Sequence, residues 1–140
     1  MQMSKTGDLA VIIKAKDLSS YILTVTEKSP KRFRFTLTSR LQNYSLTIIE
    51  NLILANEIYV QKTTMRAMQE AVVERRYMQR KAMAHLKLLS FMAQTAMESK
   101  CILPKQFEQI SKKVYDTQNL LGAWMNSDKK RYDVPAESQG

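Results

Sequence analysis

Glycine and proline are scarce in this chain, three of each in 140 residues. Sandwiches and barrels turn tightly at many points and need far more of both, which argues against an all-β fold and for a few long helices. A single cysteine and a single histidine leave no disulfide framework and no Cys/His cluster for zinc. The lone Cys101 fits a reducing cytoplasm. The short apolar run at residues 9–13 is broken by Lys14 and Lys16, too short for a secretory signal or a bilayer span, so a soluble cytoplasmic protein with no membrane partner is expected. Gly-rich phosphate loops, nucleophile elbows, His-Glu-x-x-His and the Glu-x-x-His of bundle-core metal sites are all missing. His85 has no carboxylate neighbour between Glu74 and Glu98, and Cys101 reads as a loop thiol beside Lys100. No enzymatic activity, cofactor or metal site is therefore expected.

What the chain does have is helical periodicity. Its 44% apolar and 25% charged residues are an ordinary globular balance, and the length suits one domain. Val11, Ala15, Leu18, Ile22 and Val25 recur at three- and four-residue steps, as do Leu37, Leu41, Tyr44, Ile48, Leu52, Ala55 and Tyr59. So do Phe107, Ile110, Val114, Thr117, Leu121 and Trp124. Each series draws a stripe down one face of an α-helix. Residues 64–98 are rich in Ala, Met, Leu, Gln, Arg and Lys without Gly or Pro, a helical composition. Their stripe (Met68, Val72, Met78, Ala82, Leu86, Leu89, Ala93) is interrupted at Arg75 and Arg76. Ser29-Pro30 closes the first helix, residues 56–64 link the second to the third, and Pro104 opens the fourth, where its missing N–H costs nothing. The expected fold is an all-α, antiparallel up-down-up-down four-helix bundle over residues 8–126. Residues 1–7 read as a flexible arm and 127–140 as a basic, disordered polar tail.

Charge is the second pattern. Lys and Arg total 22 against 13 Asp and Glu, a formal +9. Lys28, Lys31, Arg32, Arg34 and Arg40 fall in a window without an acid, and so do Arg75, Arg76, Arg80, Lys81 and Lys87. On a helix Arg76, Arg80 and Lys87 lie within about 40° of rotation. Lys129, Lys130 and Arg131 form a third cluster. Concentrated cations attract polyphosphate through Coulomb forces and counterion release, so nucleic acid is the natural ligand, read by backbone and shape rather than base edges. The residues expected to carry that binding are Lys31, Arg32, Arg34, Arg40, Arg76, Arg80 and Lys87. Phe33 and Phe35 interleave with the first cluster; base stacking is one use, but packing anchors at the opening of helix two is the reading adopted. Methionines on more than one face of the third helix, with Leu88 and Phe91 beside the main stripe, point to burial against a second copy or a partner.

The stretch Asp8-Leu9-Ala10-Val11, Lys14-Ala15, Thr26-Glu27-Lys28-Ser29-Pro30-Lys31-Arg32-Phe33-Arg34-Phe35, Leu37, Arg40-Leu41, Glu50-Asn51 and Ala55-Asn56-Glu57 resembles a four-helix-bundle superfamily. That superfamily holds the 23S rRNA intervening-sequence proteins and the accessory variability determinant (Avd) of diversity-generating retroelements. Leu103-Pro104-Lys105-Gln106-Phe107 and Leu120-Leu121-Gly122-Ala123-Trp124-Met125 are similar to the opening and close of the last Avd helix. The likeness covers residues 8–126. It implies a basic homopentameric ring without catalytic activity, which binds a reverse transcriptase and its template RNA and supports mutagenic cDNA synthesis. The matching basic positions are Lys31, Arg32, Arg34 and Lys87; one turn beyond Lys87, where Avd often has a cation, this chain has Phe91. Gly122 is expected to permit close helix approach beside Trp124, and Asn51 and Asn56 to be satisfied by hydrogen bonds. The alternatives are an intervening-sequence-type protein, or a structural oligomer without a nucleic-acid role.

Overall fold

Four long helices account for most of the chain in a computed structural model, which describes residues 6–132: α1 (Thr6–Thr26), α2 (Ser39–Glu57), α3 (Met65–Glu98) and α4 (Pro104–Arg131). Among the described residues there is no strand, and no helix is long and apolar enough to cross a membrane. α1 packs on α2 and α4, and α3 packs on the same two helices, an arrangement consistent with a helical bundle. The stripes meet in one core. Val11, Ala15, Leu18 and Ile22 face Leu41, Ile48, Leu52 and Ala55, with Leu86 and Leu89 of α3 and Ile110, Val114, Leu121 and Trp124 of α4. Tyr59 is the exception. α2 ends at Glu57, so Tyr59 leaves the helical period and is exposed.

Each helix end has a local cause. Beyond Thr26 the chain turns through a Ser29 N–H to Thr26 O bond (3.2 Å), and Pro30 cannot continue a helix. The Thr26 hydroxyl donates to Ile22 O (2.6 Å) and accepts from Gln42 Nε2 (2.9 Å), tying the end of α1 to the start of α2. Thr64 caps α3 by accepting the Ala67 N–H at 3.1 Å. α3 closes in a Schellman turn, with Cys101 N–H to Ala96 O (2.7 Å) and Lys100 N–H to Met97 O (3.1 Å). That turn requires a left-handed residue, and Lys100 supplies it at φ 65°, a conformation a glycine would adopt without strain. At the start of α4, Gln106 Oε1 accepts the Leu103 N–H (2.8 Å), the half of a capping box that a leucine N-cap permits.

Two boundaries differ from the sequence reading. α1 already includes Thr6 and Gly7, and α4 continues through residues 127–131, where Asp128 is buried rather than part of a tail. Residues 1–5 of the expected arm and 133–140 of the expected tail lie outside the described residues.

The α3 stripe is not interrupted. It runs Val72, Arg75, Gln79, Ala82, Leu86, Leu89, Ala93 and Ala96, all buried, with Arg75 and Gln79 filling the break at the same three- and four-residue steps. Asp128 extends the α4 stripe by one further step of four beyond Trp124. Arg75 and Gln79 of one stripe and Asp128 of the other are each other's partners. Arg75 Nε donates to Asp128 Oδ2 at 2.6 Å and Nη2 to Oδ1 at 3.3 Å, while Gln79 Nε2 donates to Oδ2 at 3.0 Å. Arg75 Nη1 reaches Ile58 O at 3.2 Å and Ala55 O at 3.5 Å, placing its positive charge at the carbonyl end of α2. The Trp124 and Tyr132 rings flank the guanidinium at 5.1 and 5.9 Å. One side chain thus holds together the ends of α2 and α4 and the body of α3.

Candidate nucleic-acid interface

The connection from α1 to α2 is not a plain loop. After Pro30 it forms a 3-10 turn over Lys31–Phe33 and then a wide π turn over Arg34–Thr38 that runs directly into α2. Phe33 is half-buried and packs against the core. Phe35 is 87% exposed. The expectation that both rings anchor helix two therefore holds for Phe33 and is corrected for Phe35. The reason is rotational: two residues apart on a helix point to nearly opposite sides, so only one can face inward. Thr38, at the end of the wide turn, is buried with its Oγ1 3.6 Å from the Cys101 Sγ, and Ser29 Oγ donates to Cys101 O at 3.0 Å. Cys101 is therefore a buried residue joining the two connections, not a presented loop thiol.

Around this turn the cations point outward. Lys31, Arg32, Arg34 and, at the second residue of α2, Arg40 are all exposed. Arg32 lies over the Phe33 ring, its guanidinium carbon 4.5 Å from the ring centre. Lys28, Lys31 and Arg34 line a hollow of about 280 Å³ together with Ser29 and Glu27, the one acid among its described lining residues.

The remaining expected cations lie along α3. Because Cys101 meets Thr38, the end of α3 sits beside the wide turn. At 1.5 Å per residue Lys87, Arg80 and Arg76 then lie about 15, 26 and 32 Å from Met97. The seven expected residues form two groups rather than one patch. Arg80 and Lys87 are exposed, whereas Arg76 is half-buried beside α4, where it lines a shallow hollow of about 410 Å³ with Gly122, Met125, Asn126 and Lys129. Among the described residues Lys31, Arg32, Arg34, Arg40, Arg80 and Lys87 have no acidic partner.

Arg75 leaves the group altogether. Counted by sequence in an acid-free window, it is buried and paired with Asp128, an acid 53 positions away in the chain. Adjacency in sequence did not reveal that pairing; the register Val72, Arg75, Gln79, Ala82 was the available signal. Two further expectations are corrected. A Cβ on Gly122 would meet nothing within 4 Å, so this glycine is not needed for close approach. Asn51 Nδ2 and both polar side-chain atoms of Asn56 are buried without a hydrogen-bond partner among the described residues. Their positions beside Leu52 and Ala55 turn them into the apolar interior, where partners are few.

The outer face of α3 is also apolar. Val73, Tyr77, Leu88 and Phe91 are exposed, and with Arg80 and Ala84 they fall within about 80° of rotation. Met78, Met83, Met92 and Met97 pack on the core, which leaves this outer band to those four apolar side chains. On α2 the exposed apolar residues Leu46, Ile53 and Leu54 are interspersed with the exposed acids Glu50 and Glu57. His85 is half-buried, edge-on to Tyr44 at 5.9 Å, with Nδ1 3.0 Å from Lys81 O. Among the described residues no three His, Cys, Asp or Glu gather into a metal-binding group. Compared with known proteins, the chain matches no family model and no curated protein.

Proposed function

We propose that this protein is a non-enzymatic nucleic-acid-binding accessory that holds structured RNA, or an RNA–DNA hybrid, through its phosphate backbone. One observation carries the reading: six exposed cations, at the α1–α2 connection and along α3, have no acidic partner among the described residues. Cations already neutralised within the fold would release no counterions from a polyanion; these are available to do so. Phosphate contact by side chains at a turn and on a helix fixes orientation without reading sequence.

The finer parts of the proposal have separate support. An antiparallel up-down-up-down order is favoured by the cross-contacts Thr26 with Gln42 and Ser19 with Ser45 between α1 and α2, and Arg75 with the last carbonyls of α2. A homo-oligomeric ring is favoured by the unlike outer faces of α2 and α3. The former is apolar with the carboxylates Glu50 and Glu57, and the middle of the latter is apolar with Arg80 and Lys87, a complementarity that favours head-to-tail contact, which forms a ring when the rotation between copies closes. Five subunits, and service to the reverse transcriptase of a diversity-generating retroelement, rest on the resemblance to Avd alone. A ring multiplies the cationic sites presented to one RNA and raises avidity without new contacts.

The direct test is fluorescence polarisation of a labelled RNA hairpin with the intact protein and with two charge-reversed variants. Lys31→Glu/Arg32→Glu/Arg34→Glu is expected to weaken binding strongly, and Arg80→Glu/Lys87→Glu to weaken it less, with helicity unchanged in both. Undiminished affinity in both variants would overturn the proposal. A reverse-transcriptase gene and a template/variable repeat pair beside the coding sequence support the retroelement assignment; placement inside a 23S rRNA gene removes it.

A further inference from the structure

We propose that Phe35 is a stacking platform for an unpaired base, so that the α1–α2 connection seats single-stranded nucleotides rather than duplex. The inference rests on the nucleic-acid reading above and narrows the ligand at this connection from structured RNA or an RNA–DNA hybrid as a whole to an unpaired stretch of it, a strand with accessible bases. The ring is 87% exposed, on a turn whose neighbouring aromatic, Phe33, is packed inward. A solvated phenylalanine at that exposure adds little to the core, and the wide π turn that presents it is a rare backbone form frequent at functional sites. The surroundings complete the chemistry. Arg34, its immediate neighbour, lines the hollow of about 280 Å³ with Lys28 and Lys31, a setting for a phosphate group. Arg32 is steadied over the Phe33 ring at 4.5 Å. Phe35 follows Arg34, a cation of this hollow, directly in the chain, and an exposed aromatic on the same turn as cations is the pairing that single-strand binders use, the ring taking a base and the cations the backbone. A duplex keeps its bases stacked on one another and has no free face to offer such a ring.

The glutamate at the rim, Glu27, works against simple anion capture. The three cations outnumber it, and base stacking supplies affinity that does not depend on charge.

The test uses the full chain with two RNA probes of equal length, a single-stranded oligo(U) and a blunt RNA duplex. Phe35→Ala is expected to weaken oligo(U) binding at least about fivefold and to leave the duplex affinity unchanged. Phe35→Trp retains binding, and its indole emission, read against the buried Trp124, is quenched by oligo(U) and not by duplex. Because Phe35 is almost fully exposed, circular dichroism of both variants should match the parent. Equal loss on both probes, or no loss on either, overturns the stacking role. A change in light-scattering mass for Phe35→Ala also overturns it, since the ring would then be covered by a second copy. Failure of the parent protein to bind either probe at low salt would instead overturn the nucleic-acid reading itself.

Discussion

The two ends of the molecule use arginine in opposite ways. Where α2 passes into α3, Arg75 is buried, bonded to Asp128 through two nitrogens and to two carbonyls at the end of α2. Where α1 passes into α2, Arg32 and Arg34 are exposed beside Lys31, with no acid paired to them among the described residues. Both sets lie in acid-free stretches of sequence. What separates them is register: Arg75 falls on the buried stripe of its helix, whereas the residues after Pro30 lie on turns whose inward positions are taken by Phe33 and Leu37. The same side chain is a structural tie at one end and an available charge at the other.

The largest effect should come from breaking the tie. Arg75→Ala or Asp128→Asn alone leaves an unpaired buried polar group and is expected to cost about 3–5 kcal/mol in urea unfolding. The double variant Arg75→Met/Asp128→Leu should recover most of that loss. Arg34→Ala, by contrast, is expected to change stability by no more than about 0.5 kcal/mol. Affinity should respond the other way round. Each alanine at Lys31, Arg32 or Arg34 should make the salt dependence of RNA binding shallower by about 1 in the log–log slope. A slope unaltered by all three would erase the distinction between the ends.

Two smaller effects sharpen the comparison by touching neither set of charges. Lys100→Gly relieves the left-handed residue at the end of α3 and should stabilise the protein by about 1 kcal/mol in thermal melts. Gly122→Ala, with open space where the methyl group goes, should stabilise α4 by up to about 1 kcal/mol. A loss instead would mean that a partner fills the hollow beside Arg76 and Lys129.

The helices were legible in the sequence because burial of one face imposes a period of 3.6, and the stripes of α1, α2 and α4 carry it in apolar residues. The third stripe was misread because a buried ion pair puts polar residues at apolar positions, and composition then reads as a break. The period itself, Val72 to Arg75 to Gln79 to Ala82, was intact and pointed inward. Its partner Asp128 was hidden by the basic residues that follow it, which made the last turn of α4 look like a tail. At the candidate interface the cations of the first cluster were legible as a group. That Phe33 and Phe35 could not both face inward was deducible from their spacing; which of them faces solvent was not. The wide turn, the hollow and the divergence of Arg76 toward α4 depend on contacts between segments remote in sequence, which no local pattern encodes.

The central claim is that the exposed cations engage phosphate. Its most direct measurement is the affinity of the unmodified protein for a structured RNA hairpin across a salt series. The account predicts a linear fall of log affinity with log salt, with a slope near −3 or steeper from the four cations at the α1–α2 connection. A flat dependence, or no binding at the lowest salt, would contradict it.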